Sequence, residues 1–411
     1  MSRSARPRKP SWLLGLILLA LLLAAVIAGG LFVVREAFGW QPFSRAAAPE
    51  PEPVPAQEPV QAAERPAPEP EAPAEPPKTV TLMALGDDLI HNCIYWSAEL
   101  PEGGYDFTRF FSDIRPTVEQ YDIACIHQET ILVRDRALIS NYPVFGTPVE
   151  IADALRETGF DVVSCAGNHC FDKGETGIRD TIETFRESCP EITLLGIHDS
   201  QADARELRIV EKNGIRIAMF NYTYGLNYAQ PKNAWMVDTF SDEQAIAEDL
   251  RRAHEQADFV VVFAHWGEED TFAPNSYQTG WAEALADAGA DLIIGCHTHT
   301  LQPLGAVECA GGRTVPVFFS LGNFLSHQIE AKNMLGGMAS VTICKDADGT
   351  RVESCELLPT VNVIIRDPDS GWYNYRPMLL SDYTADIAAT HRVEGCSVEQ
   401  MNRLYEQIVK G

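Results

Sequence analysis

From residue 79 onward, short apolar runs alternate with amphipathic segments, and this alternation constrains the fold more than any other feature of the chain. The runs are rich in β-branched residues, which is typical of buried strands, and the segments between them have helical periodicity. Strands are predicted at Thr79–Gly86, Ile123–Gln128, Phe160–Cys165, Ile215–Tyr222, Asp258–Ala264, Asp291–Gly295 and Val315–Ser320. Helices are predicted at Pro148–Thr158, Glu175–Ser188, Asp242–Gln256 and Ser276–Ala288, the third of them with Ser241 as its N-cap. The pattern predicts a layered α/β domain.

Turn residues predict two hairpins further along the chain. Lys212-Asn213-Gly214 lies between the apolar runs 208–211 and 215–220, and Asp348-Gly349 lies between the runs 340–344 and 352–357. After residue 366 the pattern is less regular, apart from one predicted helix at Ser397–Val409. We therefore expect the main domain to span residues 79–365, followed by a C-terminal extension at 366–411.

The N-terminal segment predicts attachment to a membrane. A basic tail at residues 1–11 precedes an uncharged apolar stretch from Trp12 to Val34, which exceeds the roughly 20 residues that cross a bilayer. The basic flank predicts a single-pass helix with a cytoplasmic N-terminus and an extracytoplasmic main domain. A cleaved signal peptide with Ala47-Ala48 at its small-residue site is the alternative. Residues 46–78 are mainly Pro, Ala and Glu, which predicts an extended, disordered linker.

Charge and cysteine content exclude two classes of protein. The formal net charge of −26 disfavours nucleic acid as a partner, because binding to phosphate backbones requires clustered Lys and Arg. The ten cysteines are scattered without a Cys-x-x-Cys pair, which argues against a structural zinc module. An extracytoplasmic location permits disulfides, but the sequence does not determine their connectivity.

Residues with metal-ligating side chains follow five of the predicted strands. The carboxyl ends of the strands in an open α/β sheet are where such folds build their sites. The five stretches are Gly86-Asp87-Asp88-Leu89-Ile90-His91, His127-Gln128-Glu129-Thr130, Ala166-Gly167-Asn168-His169, His265-Trp266-Gly267-Glu268 and Gly295-Cys296-His297-Thr298-His299. Their recurrence predicts one polar site at the strand ends.

Each stretch also has a structural interpretation. His297 and His299 are two residues apart, so on an extended segment both would face the same side, and a solvated loop is the alternative. Asn168-His169 could form a turn with a helix cap, and His265 could be a hydrogen-bonded core histidine. Asp87 follows a glycine, where a short side chain suits a bridging carboxylate but is also ordinary in a turn.

The chemistry of these side chains favours divalent metals. Imidazole, carboxylate and amide oxygen together suit Mn²⁺, Zn²⁺ or Fe²⁺ better than a sulfur-rich set would. Two such ions a few ångströms apart activate water and stabilise an in-line displacement at phosphorus. A nearby histidine that binds no metal can donate a proton to the leaving group.

These motifs resemble known families. Gly86-Asp87, Asn168-His169, His265-Trp266-Gly267 and Gly295-x-His297-x-His299 resemble the calcineurin-like metallophosphoesterase superfamily. The stretches 168–174, 262–269 and 320–324 are similar to the bacterial capsule-synthesis CapA family, which is associated with poly-γ-glutamate capsule. The resemblance spans about residues 80–325 and implies a layered metallophosphoesterase-like α/β sandwich.

The resemblance also implies roles for individual residues. Asp87 and Glu129 would bridge two metals, Asn168, His265 and His297 would bind one metal, His299 would bind the other, and His169 would be the proton donor. Two departures limit the analogy. His91 lies four residues after Asp87, where the superfamily has Asp-x-His, so a ligand role for His91 is not carried over. Gln128-Glu129 stands where the superfamily usually has Asp, as it does in similar capsule proteins.

The resulting expectation is a membrane-anchored, metal-dependent protein of capsule or anionic-polymer biosynthesis, with hydrolase activity of the phosphoesterase type. Its expected partners are the membrane, an anionic polymer or phosphoester substrate, and membrane-bound synthase or export components. A non-catalytic scaffold of such a complex and a general surface phosphatase or nucleotidase are the alternatives.

Overall fold

A computed structural model describes residues 76–309, 312–367 and 371–410. The predicted basic tail, the predicted membrane-spanning segment and nearly all of the predicted linker lie outside these residues. No helix in the described ranges is both long enough and apolar enough to cross a bilayer.

The described residues form strands and helices in alternation. The strands are β1 (Lys78–Asp88), β2 (Ile123–Gln128), β3 (Leu132–Val133), β4 (Thr147–Pro148), β5 (Val162–Ser164), β6 (Thr193–Leu195), β7 (Arg208–Lys212), β8 (Ile215–Thr223), β9 (Phe259–His265), β10 (Leu292–Cys296), β11 (Leu304–Glu308), β12 (Thr314–Phe318), β13 (Asn323–Leu325), β14 (Leu335–Asp346), β15 (Gly349–Arg366) and β16 (Tyr373–Leu379). The helices are α1 (Asn92–Ala98), α2 (Arg115–Val118), α3 (Ile151–Thr158), α4 (Gly174–Ser188), α5 (Glu243–His254), α6 (Ser276–Ala288), α7 (Ala331–Met334), α8 (Ala385–Thr390) and α9 (Val398–Lys410).

Two mixed sheets contain most of these strands. The larger sheet has the order β16-β15-β14-β1-β2-β5-β6, with β13 also paired to β1, and the smaller has the order β11-β12-β10-β9-β8-β7. The pairs β1–β2, β2–β5, β8–β9 and β9–β10 are all parallel. Their carboxyl ends therefore lie at one edge of each sheet.

Alternating burial in the smaller sheet shows how its two faces are covered. Val261 and Phe263 of β9 belong to one apolar cluster, together with residues of the larger sheet, whereas Val260 and Val262 belong to a second cluster with helices α5 and α6. Successive side chains of a strand point to opposite faces, so one face packs toward the larger sheet and the other toward helices. A strand buried on both faces requires the continuous apolar run that the sequence has here.

The structure confirms the predicted strands, helices and hairpins, with boundaries shifted by a few residues. The predicted N-cap at Ser241 is wrong, because Asp242 occupies that position and its side chain accepts a hydrogen bond from the Ala245 N–H. A longer carboxylate side chain one residue later reaches the free N–H groups of the first turn. The predicted C-terminal helix is α9. The strands β3, β4, β6, β11, β13 and β16 and the short helices α1, α2, α7 and α8 were not predicted.

Candidate metal centre

The polar residues predicted at the strand ends come together where the two sheets meet. They are Asp87 at the end of β1, His127 and Glu129 at the end of β2, Asn168 and His169 after β5, His265 at the end of β9, and His297 and His299 after β10. All of them are buried. Because β10 and β1 approach each other, the backbone N–H of His297 lies 3.2 Å from a carboxylate oxygen of Asp87.

Six of these side chains form two triads with the spacing of metal ligands. Asp87, His127 and His265 form the first triad, and Glu129, His297 and His299 form the second. Within each triad, one ligand atom of every residue lies within 4.8 Å of the others. The triads are adjacent, since the His265 and His297 rings are 4.6 Å apart.

Unsatisfied ligand atoms test whether these residues suit a metal. His127 Nε2, His265 Nδ1, His297 Nδ1 and both carboxylate oxygens of Glu129 are buried and have no hydrogen-bond partner. Leaving a buried polar atom without a partner costs about 1–3 kcal/mol, so such atoms are rare in stable proteins. Their concentration at one place, with imidazole and carboxylate chemistry, fits divalent metal ions.

The environment keeps three of the histidines neutral. Burial lowers the pKa of His127 to about 4 and that of His297 to about 3, and it lowers the pKa of His265 well below its ordinary value. The neighbouring imidazoles lower the pKa of His265 further by charge repulsion. A neutral imidazole presents the lone pair that a metal requires, so these side chains are in the binding form at neutral pH.

Of the remaining triad members, His299 and Asp87 form a charged pair beside Glu129. Burial would lower the pKa of His299, but the charge of Glu129 and the hydrogen bond to Asp87 outweigh it and raise that pKa to about 10. Burial likewise opposes ionisation of Asp87, yet the hydrogen bond and charge of His299 keep its pKa below the usual value. Glu129 keeps a raised pKa because burial outweighs the attraction of His299.

The backbone that carries His297 and His299 is not extended, so that prediction is wrong. Their φ angles are 98° and 57°, in the left-handed region that residues other than glycine seldom occupy. The Asn333 side chain holds this loop, because its Nδ2 donates to the carbonyl of His299 at 3.1 Å. Strained backbone of this kind is concentrated at functional sites.

Two glycines allow close packing around the site. A Cβ atom at Gly86, immediately before Asp87, would lie 1.9 Å from the carbonyl oxygen of Gly322. A Cβ atom at Gly167 would lie 3.3 Å from both His127 Nε2 and His265 Cε1. The absence of a side chain at Gly167 therefore leaves room for the His127 and His265 rings of the first triad.

His169 is held at the edge of the triads by a carboxylate. Its Nδ1 lies 2.7 Å from Asp172 Oδ2, which also accepts the N–H of Phe145 at 2.7 Å. The Asn227 side chain lies 3.2 Å from His169 Nε2. A buried carboxylate on one ring nitrogen fixes the orientation of the imidazole, and the Nε2 side of the ring faces Asn227.

Asn168 contacts a histidine ligand. Its Oδ1 lies 3.0 Å from His265 Nε2, where it accepts that N–H and leaves the unpartnered Nδ1 of His265 toward the triad. Such an outer contact fixes the ring and its tautomer. The grouping also differs from that implied by the resemblance, because His297 lies with His299 and Glu129, whereas His265 lies with Asp87.

The triads include one residue to which the sequence analysis gave no role, His127, and exclude one that it considered, His91. His127 ends an apolar strand immediately before Gln128-Glu129, and its position at a strand end was the available signal. His91 belongs to neither of the two triads found in the described residues. It precedes α1, and its Nδ1 accepts the His327 N–H at 3.2 Å.

Sequence comparison places these residues within one family. The sequence profile of the family described as "Bacterial capsule synthesis protein PGA_cap" matches residues 81–328, more than half of the chain and all of both triads. The PGA biosynthesis protein CapA of Bacillus subtilis (strain 168) is 35% identical over 185 residues, covering 44% of this chain and 47% of that protein. The capsule biosynthesis protein CapA of Bacillus anthracis is 33% identical over 186 residues, covering 44% and 43%. The chain thus spans less than half the length of these relatives.

Comparison with solved structures gives two matches of low structural similarity. The calcineurin-like phosphoesterase YfkN of Bacillus subtilis has a TM-score of 0.42 and 16% identity, covering 81% of this chain and 97% of that chain. A putative 5'-nucleotidase of Staphylococcus aureus has a TM-score of 0.42 and 18% identity, covering 68% and 54%.

Proposed function

The chain belongs to the bacterial capsule synthesis protein family, and we propose that it is a metal-dependent hydrolase of phosphoester-type bonds in the assembly of a surface polymer. The two adjacent triads with their unpartnered buried ligand atoms carry this proposal. A purely structural role for these side chains would leave several desolvated polar atoms uncompensated.

The residues of the centre have two proposed roles, metal binding and proton donation. Asp87, His127 and His265 would hold one divalent ion, and Glu129, His297 and His299 would hold a second. Such ions supply Lewis acidity toward phosphoryl oxygens and an activated water. His169, oriented by Asp172, would donate a proton to the leaving oxygen through Nε2.

The outer contacts maintain this arrangement. Asn168 would fix the His265 ring, and Ser164, whose Oγ lies 3.0 Å from His127 Nδ1, would fix the His127 ring. The Tyr224 ring lies 4.6 Å from the His297 ring at one side of the centre. The chain would thereby present its ligands in place before a metal or a substrate arrives.

Metal content and phosphatase activity together test the proposal. The full chain, supplied with Mn²⁺, Zn²⁺ or Fe²⁺, should bind close to two ions and hydrolyse an aryl phosphate. His297→Ala should lose metal and activity together. The control is His254→Ala, which changes a partly exposed histidine of α5 that bonds to the Gly289 carbonyl. Failure to bind any of these ions would exclude the metal centre.

A second outcome separates hydrolysis from an auxiliary role. If the ions bind stoichiometrically but no phosphoester is cleaved, the centre acts as a structural part of a polymer synthesis or export complex. If aryl phosphates and nucleotides are cleaved equally well and deleting the gene leaves the capsule unchanged, the chain is a general surface phosphatase.

The polymer and the location form a further part of the proposal. One relative is named for PGA biosynthesis, which supports a polymer like poly-γ-glutamate as the product of the pathway. The apolar stretch from Trp12 to Val34 after a basic tail supports a single-pass anchor with the main domain outside the cell. Protease added to intact cells should release this domain, and full protection of the domain would contradict the topology.

A further inference from the structure

An exposed tyrosine ring lies against one histidine of each triad. The Tyr224 ring lies 4.6 Å from the His297 ring, and it lies 6.2 Å from the His265 ring at an interplanar angle of 8°. Both histidines are buried, whereas Tyr224 is 40% exposed. Tyr224 therefore forms part of the surface between these ligands and solvent.

Backbone hydrogen bonds fix the position of this ring. Tyr224 directly follows β8, and its N–H donates to the carbonyl of His265 at 2.9 Å. Three residues later, the N–H of Asn227 donates to the carbonyl of Asn168 at 3.0 Å. The segment after β8 is thus attached to the end of β9 and to the segment after β5, so the ring is in place before a substrate arrives.

A carboxylate without a partner lies near the same ring. Glu269 is exposed and lies on the loop that follows β9, and it forms no hydrogen bond or ion pair with the other described residues. The next residue, Asp270, donates its N–H to the carbonyl of Thr298 in the loop of the second triad, at 2.8 Å. Burial raises the pKa of Tyr224, and the charge of Glu269 raises it further, as expected for a nearby carboxylate.

The cation on the neighbouring segment has other partners. Lys332 Nζ lies 3.2 Å from Asp270 and 3.1 Å from Glu330. The charge of Glu269 instead acts on the metal centre, because it adds to the effect of burial in raising the pKa of Glu129. The carboxylate of Glu269 is therefore accessible to a ligand and close to both the Tyr224 ring and the centre.

An aromatic face and an accessible carboxylate at one place suit a cation. The face of a phenol ring attracts an ammonium group through its quadrupole, and proteins recognise quaternary ammonium ligands in this way. The carboxylate adds charge attraction, which a neutral alkyl group would not receive. We propose that Tyr224 and Glu269 bind the ammonium group of a phosphoester substrate whose phosphoryl group is at the metal centre. This substrate class rests on the proposed hydrolase function.

Two phosphonates of nearly equal size test this proposal without turnover. 2-Aminoethylphosphonate carries an ammonium group, propylphosphonate has a methyl group in its place, and phosphoester hydrolysis cleaves neither. With the metal-loaded full chain, we expect calorimetry to show about tenfold tighter binding of 2-aminoethylphosphonate. Glu269→Gln and Tyr224→Leu should each reduce this preference by about threefold, whereas Tyr224→Phe keeps the ring and should retain it.

Glu283→Gln is the matched control. Glu283 is an exposed residue of α6 that lines a cavity next to β11, so its variant loses the same charge at a different place. The preference for 2-aminoethylphosphonate should remain as in the wild type. Metal analysis and thermal melting of every variant verify that the centre is occupied and the chain is folded.

Four results would overturn the proposal. They are the absence of binding by 2-aminoethylphosphonate, equal affinity for the two phosphonates, a preference that both Glu269→Gln and Tyr224→Leu leave unchanged, and loss of metal from Glu269→Gln. The last result would make the Glu269 carboxylate part of the metal centre.

Hydrolysis assays separate a failure of this proposal from a failure of the proposed function. If 2-aminoethylphosphonate is preferred but no phosphoester is cleaved, the ammonium site stands and only the hydrolase is contradicted. If an aryl phosphate is cleaved, but phosphocholine is cleaved no faster than its uncharged analogue 3,3-dimethylbutyl phosphate, the hydrolase stands and the ammonium site is wrong.

Discussion

His299 Nδ1 lies 3.2 Å from a carboxylate oxygen of Asp87, although the two residues are 212 positions apart in the chain, and both are buried. In the protein without metal this contact is an ion pair, because Asp87 and Glu129 raise the pKa of His299 to about 10. A metal that binds the second triad must replace the proton on this imidazole.

Metal binding should therefore release protons. At pH 7 we expect at least about one proton per protein, the one on His299, whose pKa is raised to about 10. Affinity should rise about tenfold per pH unit for each proton released, up to the pKa of His299. Calorimetric titration in buffers with different ionisation enthalpies measures the number, and equal heats in all buffers would contradict the assignment.

His127→Ala should weaken metal binding, whereas His91→Ala should not. His127 Nε2 is buried, unpartnered and part of the first triad, so its loss removes a ligand. We expect the affinity for at least one ion to fall by more than about tenfold. His91 belongs to neither triad, so its variant should retain both ions in elemental analysis. Equal metal loss in the two variants would show that the metal ligands are assigned incorrectly.

Gly167→Ala should damage the centre without unfolding the protein. The added methyl group would stand 3.3 Å from His127 Nε2 and His265 Cε1, so both rings must shift. Overpacking of this kind costs about 1–3 kcal/mol. We expect the cost to displace the His127 and His265 rings from their positions and not to unfold the protein. Metal affinity and the free energy of unfolding are the measurements.

Gly280→Ala is the matched control for that prediction. Gly280 lies within α6, and a Cβ atom there meets nothing within 4 Å. An alanine in a helix interior should raise the free energy of unfolding by roughly 0.5–1 kcal/mol and leave metal affinity unchanged. If both variants bound metal like the wild type, Gly167 would have no role in shaping the first triad.

The sequence was sufficient to predict the strands that lead into the site and the residues at their ends because both depend on local chemistry. Continuous apolar runs indicate buried strands, and a polar residue at the end of such a run has few structural reasons to be there. His127 received no role because it lies inside the apolar run that precedes Glu129, where a histidine resembles a core residue. The pairing of β1 with β2 places His127 opposite Asp87, and only this pairing shows that His127 belongs to the site.

The grouping of ligands could not be predicted because it depends on how two sheets approach each other. His297 and His299 sit on a loop whose left-handed φ angles are unfavourable for histidine, and local propensity would not select them. Tertiary contacts such as the Asp87 carboxylate accepting the His297 N–H hold the loop in place. The same limit applies to His198, which the sequence did not single out.

Stability should depend on pH through His198, which lies away from both triads. His198 is buried, with Nε2 2.9 Å from Asp238 and Nδ1 3.5 Å from Asp203. Burial alone would lower its pKa, but the nearby carboxylates of Asp203 and Asp238 outweigh burial and raise the pKa to about 9. A histidine whose pKa is higher in the folded state stabilises the protein below the unfolded value of about 6.5, and this contribution disappears as the pH rises to about 9.

His198→Gln should remove this dependence. At pH 6 the wild type should exceed the variant in free energy of unfolding by up to about 3 kcal/mol, and the difference should shrink through pH 7 and 8 and be lost near pH 9. Urea unfolding of both proteins at each pH measures it. Asp238→Asn should show a smaller loss over the same range, because one of the two carboxylates remains. A difference between wild type and His198→Gln that is constant from pH 6 to 9 would mean that His198 is uncharged in the folded protein.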